Sequence, residues 1–152
     1  MNVEHEDLSK TRTEVIEKFI NLEMIINTII SQHFFGYVKT GFLFDVLYDE
    51  YFTFGLKRRI LEKIVSNIDK GMVDKLNRLN TIRNYFAHCG TEIFWGKEHP
   101  EKGEKGVIPD PRRWRKPLDF AALYKEFTET EPQVTQYLFD IYKKLGGHSE
   151  KA

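Results

Sequence analysis

Cysteine and long apolar runs are scarce in this chain, and each scarcity removes a class of protein. The single cysteine, Cys89, excludes an internal disulfide and is typical of a reducing compartment, so we expect a cytoplasmic protein. No apolar run approaches the roughly 20 residues of a membrane span, and the acidic N-terminus lacks the apolar core of a signal peptide. We therefore expect no association with a membrane.

Charge of one sign and metal-ligand spacings are also missing. Lys plus Arg number 23 and so do Asp plus Glu, so the net charge neither favours nor excludes a nucleic-acid partner. The five histidines are scattered, with no H-x-x-x-H or C-x-x-C spacing and no glycine-rich phosphate loop. We expect no metal site and no cofactor.

What is present is helical periodicity in a chain of ordinary domain size. The 152 residues are 41% hydrophobic and 14% aromatic, and we expect one domain over residues 1–152. Apolar residues at helical spacing predict an all-α bundle of about five helices. The predicted helices cover residues 7–33, 42–52, 56–68, 72–89 and 118–145, and the last has a candidate interruption at Pro132.

The segment 91–117 differs from its surroundings because it is rich in glycine, proline and charge. It predicts a long loop, or a small β-hairpin in which residues 92–95 pair with 106–108. Residues 96–117 hold seven bases and four acids. Basic groups next to aromatic rings suit single-stranded RNA, whereas a solvated loop with its tryptophans packed on the core is the alternative. The candidate RNA-binding residues are Arg112, Arg113, Trp114, Arg115 and Lys116.

The fourth predicted helix places an arginine on its apolar face. Arg83 falls within the core arc of the helical wheel, and a buried charge needs a partner. Glu23 falls within the apolar arc of the first helix, so we predict that Glu23 contacts Arg83. The alternative is that the Glu23 side chain extends to solvent.

A polar stripe runs beside that core face. Asn80, Asn84 and His88 are spaced i, i+4 and i+8, and they form either a recognition surface or a plain solvated edge. Arg83 and His88 are five residues apart and diverge by about 140° on an ideal helix.

These residues carry a family resemblance. The segment from Leu76 to His88 resembles the signature helix of the HEPN superfamily (higher eukaryotes and prokaryotes nucleotide-binding), whose motif is Arg, four to six residues, then His, often with a polar residue after the Arg. Here that polar residue is Asn84. The segment 54–61 resembles an early helical segment of some members.

The resemblance implies a function. Many members are metal-independent endoribonucleases of toxin or defence type, active as dimers with both motif helices in one cleft. It implies that His88 is the general acid or base at the ribose 2′-OH, that Arg83 stabilises the phosphorane, and that Asn84 positions the phosphate or His88. We add Glu23 and Asn80 as supporting residues.

A second interpretation belongs to a different class. Some members with the motif, including a mannitol-repressor-like group, are linked to regulation rather than cleavage, and others bind a protein such as an antitoxin. A non-catalytic dimeric module that binds RNA, a nucleotide or a regulatory protein therefore stays open beside the nuclease.

Overall fold

The computed structural model describes residues 3–88, 107–110 and 113–146, with side chains described for residues 8–88 and 119–146. The protein is all-α, as the periodicity predicted. In chain order its elements are α1 (Val3–Phe35), α2 (Thr40–Phe42), a π-helix (Leu43–Leu47), α3 (Phe54–Ile64), α4 (Lys70–His88), β1 (Val107–Asp110), β2 (Arg113–Asp119) and α5 (Phe120–Lys144).

The chain divides into two compact units, and three long helices contribute to both. Unit 1 comprises Met1–Phe19 and Lys75–Pro132, whereas unit 2 comprises Ile20–Asp74 and Gln133–Ala152. The helices α1, α4 and α5 each pass from one unit to the other. The single domain expected over residues 1–152 stays a prediction.

Each unit has an apolar core drawn from these shared helices. In unit 1 the buried side chains are Leu8, Val15, Phe19, Leu76, Leu79, Ile82, Tyr85, Phe86, Leu123 and Phe127. In unit 2 they are Leu22, Ile26, Ile29, Ile30, Leu43, Leu47, Phe54, Leu61, Val73, Val134, Leu138 and Ile141. Burial of so many large apolar groups provides the main driving force for folding.

Two of the predicted helices end earlier than expected. The helix predicted over 42–52 stops after the π-helix, where the backbone amide of Tyr51 donates to Asp49 Oδ1 at 2.9 Å and forms a local turn. The helix predicted over 56–68 ends at Ile64, because Val65 is extended (φ −94°, ψ 113°). Asn67 then adopts a left-handed conformation (φ 54°), which asparagine tolerates.

The region before α5 also differs from the prediction. Residues 113–117, predicted as loop, belong to β2, which pairs antiparallel with β1 through Val107 opposite Asp119 and Ile108 opposite Leu118. Residues 92–95, the predicted partners of 106–108, lie outside the described residues. Pro132 does not interrupt α5, which is continuous from Phe120 to Lys144.

Within the described residues, none of the helices combines the length and the apolar character that crossing a bilayer requires.

Candidate functional site

The motif occupies the last two turns of α4. The helix begins after Asp69, whose Oδ1 accepts hydrogen bonds from the amides of Gly71 (2.8 Å) and Met72 (3.2 Å) and so caps its N-terminus. It then continues without a break to His88. The candidate catalytic side chains therefore project from one rigid element.

Arg83 is held on the side of α4 that meets α1 in unit 1. Its guanidinium carbon lies 4.8 Å from the centroid of the buried Phe19 ring, which is a cation–π geometry. Its Nη2 also donates to Asn80 Oδ1 at 3.0 Å. The arginine predicted on the core face is part-buried, and both contacts fix the position of its guanidinium.

The three residues of the predicted polar stripe become more exposed toward the helix end. Asn80 and Asn84 are half-buried, whereas His88 is exposed. Asn80 has a definite partner in Arg83, one turn along the helix. The His88 imidazole is thus open to a solvent-borne ligand at the end of a helix that also anchors Arg83.

A further basic residue, which the sequence did not single out, reaches the same helix end. Arg12 of α1 donates from Nη2 to the carbonyl oxygen of Ala87 at 3.2 Å. That carbonyl belongs to the peptide bond that joins Ala87 to His88. The guanidinium of Arg12 therefore lies against the backbone of the candidate general acid or base.

The helices that surround the motif in unit 1 are joined by polar contacts. The hydroxyl of Tyr124 in α5 donates a hydrogen bond to Glu14 Oε2 at 2.7 Å, and Lys18 Nζ lies 3.0 Å from Glu14 Oε1. The hydrogen bond from Tyr124, reinforced by Lys18, holds the pKa of Glu14 below its ordinary value. The same hydrogen bond raises the pKa of Tyr124, because ionisation would place two negative charges together.

Glu23 has a partner that the sequence analysis did not foresee. Its Oε1 accepts a hydrogen bond from Lys57 Nζ at 2.7 Å in unit 2. The Lys57 side chain is itself buried, at 3% exposed. The buried ammonium is stabilised by Glu23 and by the Tyr48 ring, whose centroid lies 5.5 Å from Nζ. Glu23 and Arg83 belong to different units, and their pairing stays a prediction.

The side chains of the predicted RNA-binding residues lie outside the described part of the structure. Arg112 lies outside the described residues. Arg113, Trp114, Arg115 and Lys116 form part of β2, where only the backbone is described. Their contact with RNA stays a prediction, now placed on a strand rather than a loop.

Among the described side chains, no three of the types His, Cys, Asp and Glu come together in an arrangement that could hold a metal ion. Comparison of the chain with protein-family models, with curated proteins and with solved structures yields no match.

Proposed function

We propose that this protein is a cytoplasmic, metal-independent endoribonuclease of toxin or defence type that acts as a homodimer. The proposal starts from the resemblance of the α4 segment to the HEPN motif. One structural observation carries it further: an exposed His88 ends the helix on which Arg83 is anchored by Phe19 and Asn80. An accessible imidazole and a fixed guanidinium on the same helix are the groups that phosphoryl transfer needs.

The chemistry needs only groups that RNA and these residues supply. His88 takes the proton of the ribose 2′-OH, whose oxygen then forms a bond to the adjacent phosphorus while the bond from phosphorus to the 5′ oxygen breaks. Imidazole is the side chain best suited to move protons near neutral pH. Arg83 stabilises the charge that develops on the phosphorane, with Asn84 orienting the phosphate. The products are a 2′,3′-cyclic phosphate and a 5′-hydroxyl end.

A dimer addresses the divergence of the two key side chains. Arg83 and His88 point about 140° apart on one continuous helix, so a single α4 does not direct both at one phosphorus without a long reach by the arginine. Two copies of α4 facing each other let Arg83 of one subunit meet His88 of the other. The two His88 side chains then divide the roles of base and acid.

The test is RNA cleavage in the presence of EDTA. We expect wild type to cleave single-stranded or structured RNA and to leave 2′,3′-cyclic phosphate ends, and His88→Ala and Arg83→Ala to lose at least about a hundredfold in rate. His33→Ala and Arg78→Ala are matched controls, because His33 is an exposed histidine at the end of α1 and Arg78 is paired with Glu126. Equal rates for His88→Ala and His33→Ala would reject the assignment.

One observation favours the second candidate, a non-catalytic dimeric module of the mannitol-repressor-like kind. Arg83 stacks on the core ring of Phe19, so the arginine also serves helix packing. In that case the polar stripe of Asn80, Asn84 and His88 binds RNA, a nucleotide or a regulatory protein such as an antitoxin. Retained RNA binding by folded wild type without any cleavage would select this function over the nuclease.

A further inference from the structure

The contacts of Arg12 and Arg83 lie along one seam between α1 and α4. Arg12 and Phe19 are seven residues apart and share a face of α1, while Arg83 and Ala87 are four apart and share a face of α4. Arg12 contacts Ala87 and Phe19 contacts Arg83, as an antiparallel pair of helices requires. The two contacts are one turn, about 6 Å, apart along α4.

Arg12 has no acidic residue at the positions of α1 that form helical ion pairs. The residues three and four positions away are Leu8, Ser9, Val15 and Ile16. Three other helical bases do pair with such an acid: Lys18 with Glu14, Arg58 with Glu62 and Lys125 with Glu129. Among the described residues, the hydrogen bond to Ala87 is the contact that Arg12 makes.

We propose that Arg12 is a second phosphate-binding arginine of the RNA site, an inference that rests on the proposed function. A guanidinium carries five N–H donors in a planar fork, and the Ala87 carbonyl engages one of them. That bond holds the half-buried Arg12 in place beside His88, so its remaining donors meet a backbone phosphate without first being ordered.

A purely structural role predicts different behaviour. The carbonyl groups of a helix C-terminus attract cations, so Arg12 would then stabilise α4 and leave RNA binding unchanged. The salt dependence of binding separates the two roles, because each phosphate that a cation neutralises releases counterions. For single-stranded RNA the slope of log K against log salt changes by about 0.7 for each such contact.

The experiment measures RNA binding by a His88→Ala background protein at several salt concentrations, so that cleavage does not interfere. Adding Arg12→Gln is expected to lower the slope by about 0.7 and the affinity at moderate salt by about tenfold. Adding Arg12→Lys, which keeps the charge, is expected to keep the slope. Lys10→Gln makes the same charge change at an exposed position two residues away and is expected to leave the slope unchanged.

Thermal unfolding of each variant reports the helix-end contact separately. A lower melting temperature for Arg12→Gln with an unchanged slope would reduce Arg12 to a helix cap and overturn the proposal. Equal slope changes for Arg12→Gln and Lys10→Gln would mean that the loss of any positive charge on α1 weakens RNA binding. That result would also overturn the proposal. Absence of RNA binding by folded wild type and His88→Ala proteins would instead reject the proposed function, and the inference with it.

Discussion

At the scale of single residues, the ammonium group of Lys57 depends on one carboxylate. Its side chain is 3% exposed and its Nζ lies 2.7 Å from Glu23 Oε1. Glu23→Gln leaves that buried charge without its counter-ion, and we expect the free energy of unfolding to fall by about 3 kcal/mol. Lys57→Met removes the buried charge, so we expect a smaller loss. Urea denaturation measures both.

An exposed pair provides the control for this prediction. Arg58 Nη1 and Glu62 Oε2 are 3.7 Å apart, with side chains 28% and 37% exposed. Glu62→Gln is expected to cost less than about 0.5 kcal/mol. If Glu23→Gln were as mild as Glu62→Gln, the burial of Lys57 would not depend on Glu23.

The pair formed by Arg78 and Glu126 in unit 1 makes stability depend on pH. Arg78 Nε and Nη2 donate to the two oxygens of Glu126 at 2.6 and 2.9 Å. These hydrogen bonds hold the pKa of Glu126 below its ordinary value of 4.5. A lowered folded-state pKa means that the pair stabilises the fold above the unfolded-state pKa, and that this contribution disappears as the pH falls through the folded-state pKa.

Glu126→Gln is therefore expected to act in one pH range only. Since both side chains are about two-fifths exposed (44% and 40%), solvent screening limits the loss at pH 7 to about 0.5–1 kcal/mol. The difference from wild type should shrink to zero well below pH 4.5. Urea denaturation over a pH series measures it, and a difference that stays constant with pH would contradict the electrostatic explanation.

At the scale of the elements, α5 contains a residue that weakens it. Pro132 has no amide hydrogen, so the carbonyl of Thr128 lacks its helical donor four residues on. Position 132 is exposed, which lets a small side chain replace the ring without disturbing a core. Pro132→Ala is expected to raise the free energy of unfolding by up to about 3 kcal/mol.

Thr130→Ala is the control for this substitution, because it lies in the same turn and raises helix propensity without restoring an amide hydrogen. It is expected to stabilise by less than about 0.7 kcal/mol. Thermal unfolding compares the two variants. A destabilised Pro132→Ala protein would mean that contacts of the proline ring stabilise the fold more than the restored hydrogen bond does.

The elements also show which features a sequence can predict. The five helical regions within the described residues were located from the spacing of apolar residues, because that pattern is local. β2 was missed because a strand is defined by its partner, here Val107–Asp110. The burial of Lys57 was missed since Glu23 lies 34 residues away. Arg12 was missed because its acceptor is a backbone carbonyl, which any residue type carries.

At the scale of the whole molecule, charge balance and exposed rings together limit solubility. Basic and acidic residues are equal at 23 each, so the net charge vanishes near pH 7 and ceases to keep molecules apart. Large apolar side chains are exposed in unit 2, with Tyr51 at 83% and Phe44 at 59%. We expect solubility to be lowest near pH 7 and to rise on either side.

Two neighbouring substitutions separate charge from exposed apolar surface. Glu50→Gln and Tyr51→Lys each raise the net charge by one unit, but only the second removes a ring. Precipitation with polyethylene glycol at pH 7 is expected to show the higher solubility for Tyr51→Lys. Equal solubilities would mean that net charge alone governs the behaviour.

The path of the chain through the two units also sets the order in which they can be completed during synthesis. All segments of unit 1 have been synthesised once Pro132 is added to the chain, whereas unit 2 is complete only after the second half of α5 has been made. The apolar residues of 20–74 are therefore made long before Val134, Leu138 and Ile141 are available to join them. While the last helix is being translated, the earlier half of that core stays open to chaperones and to aggregation.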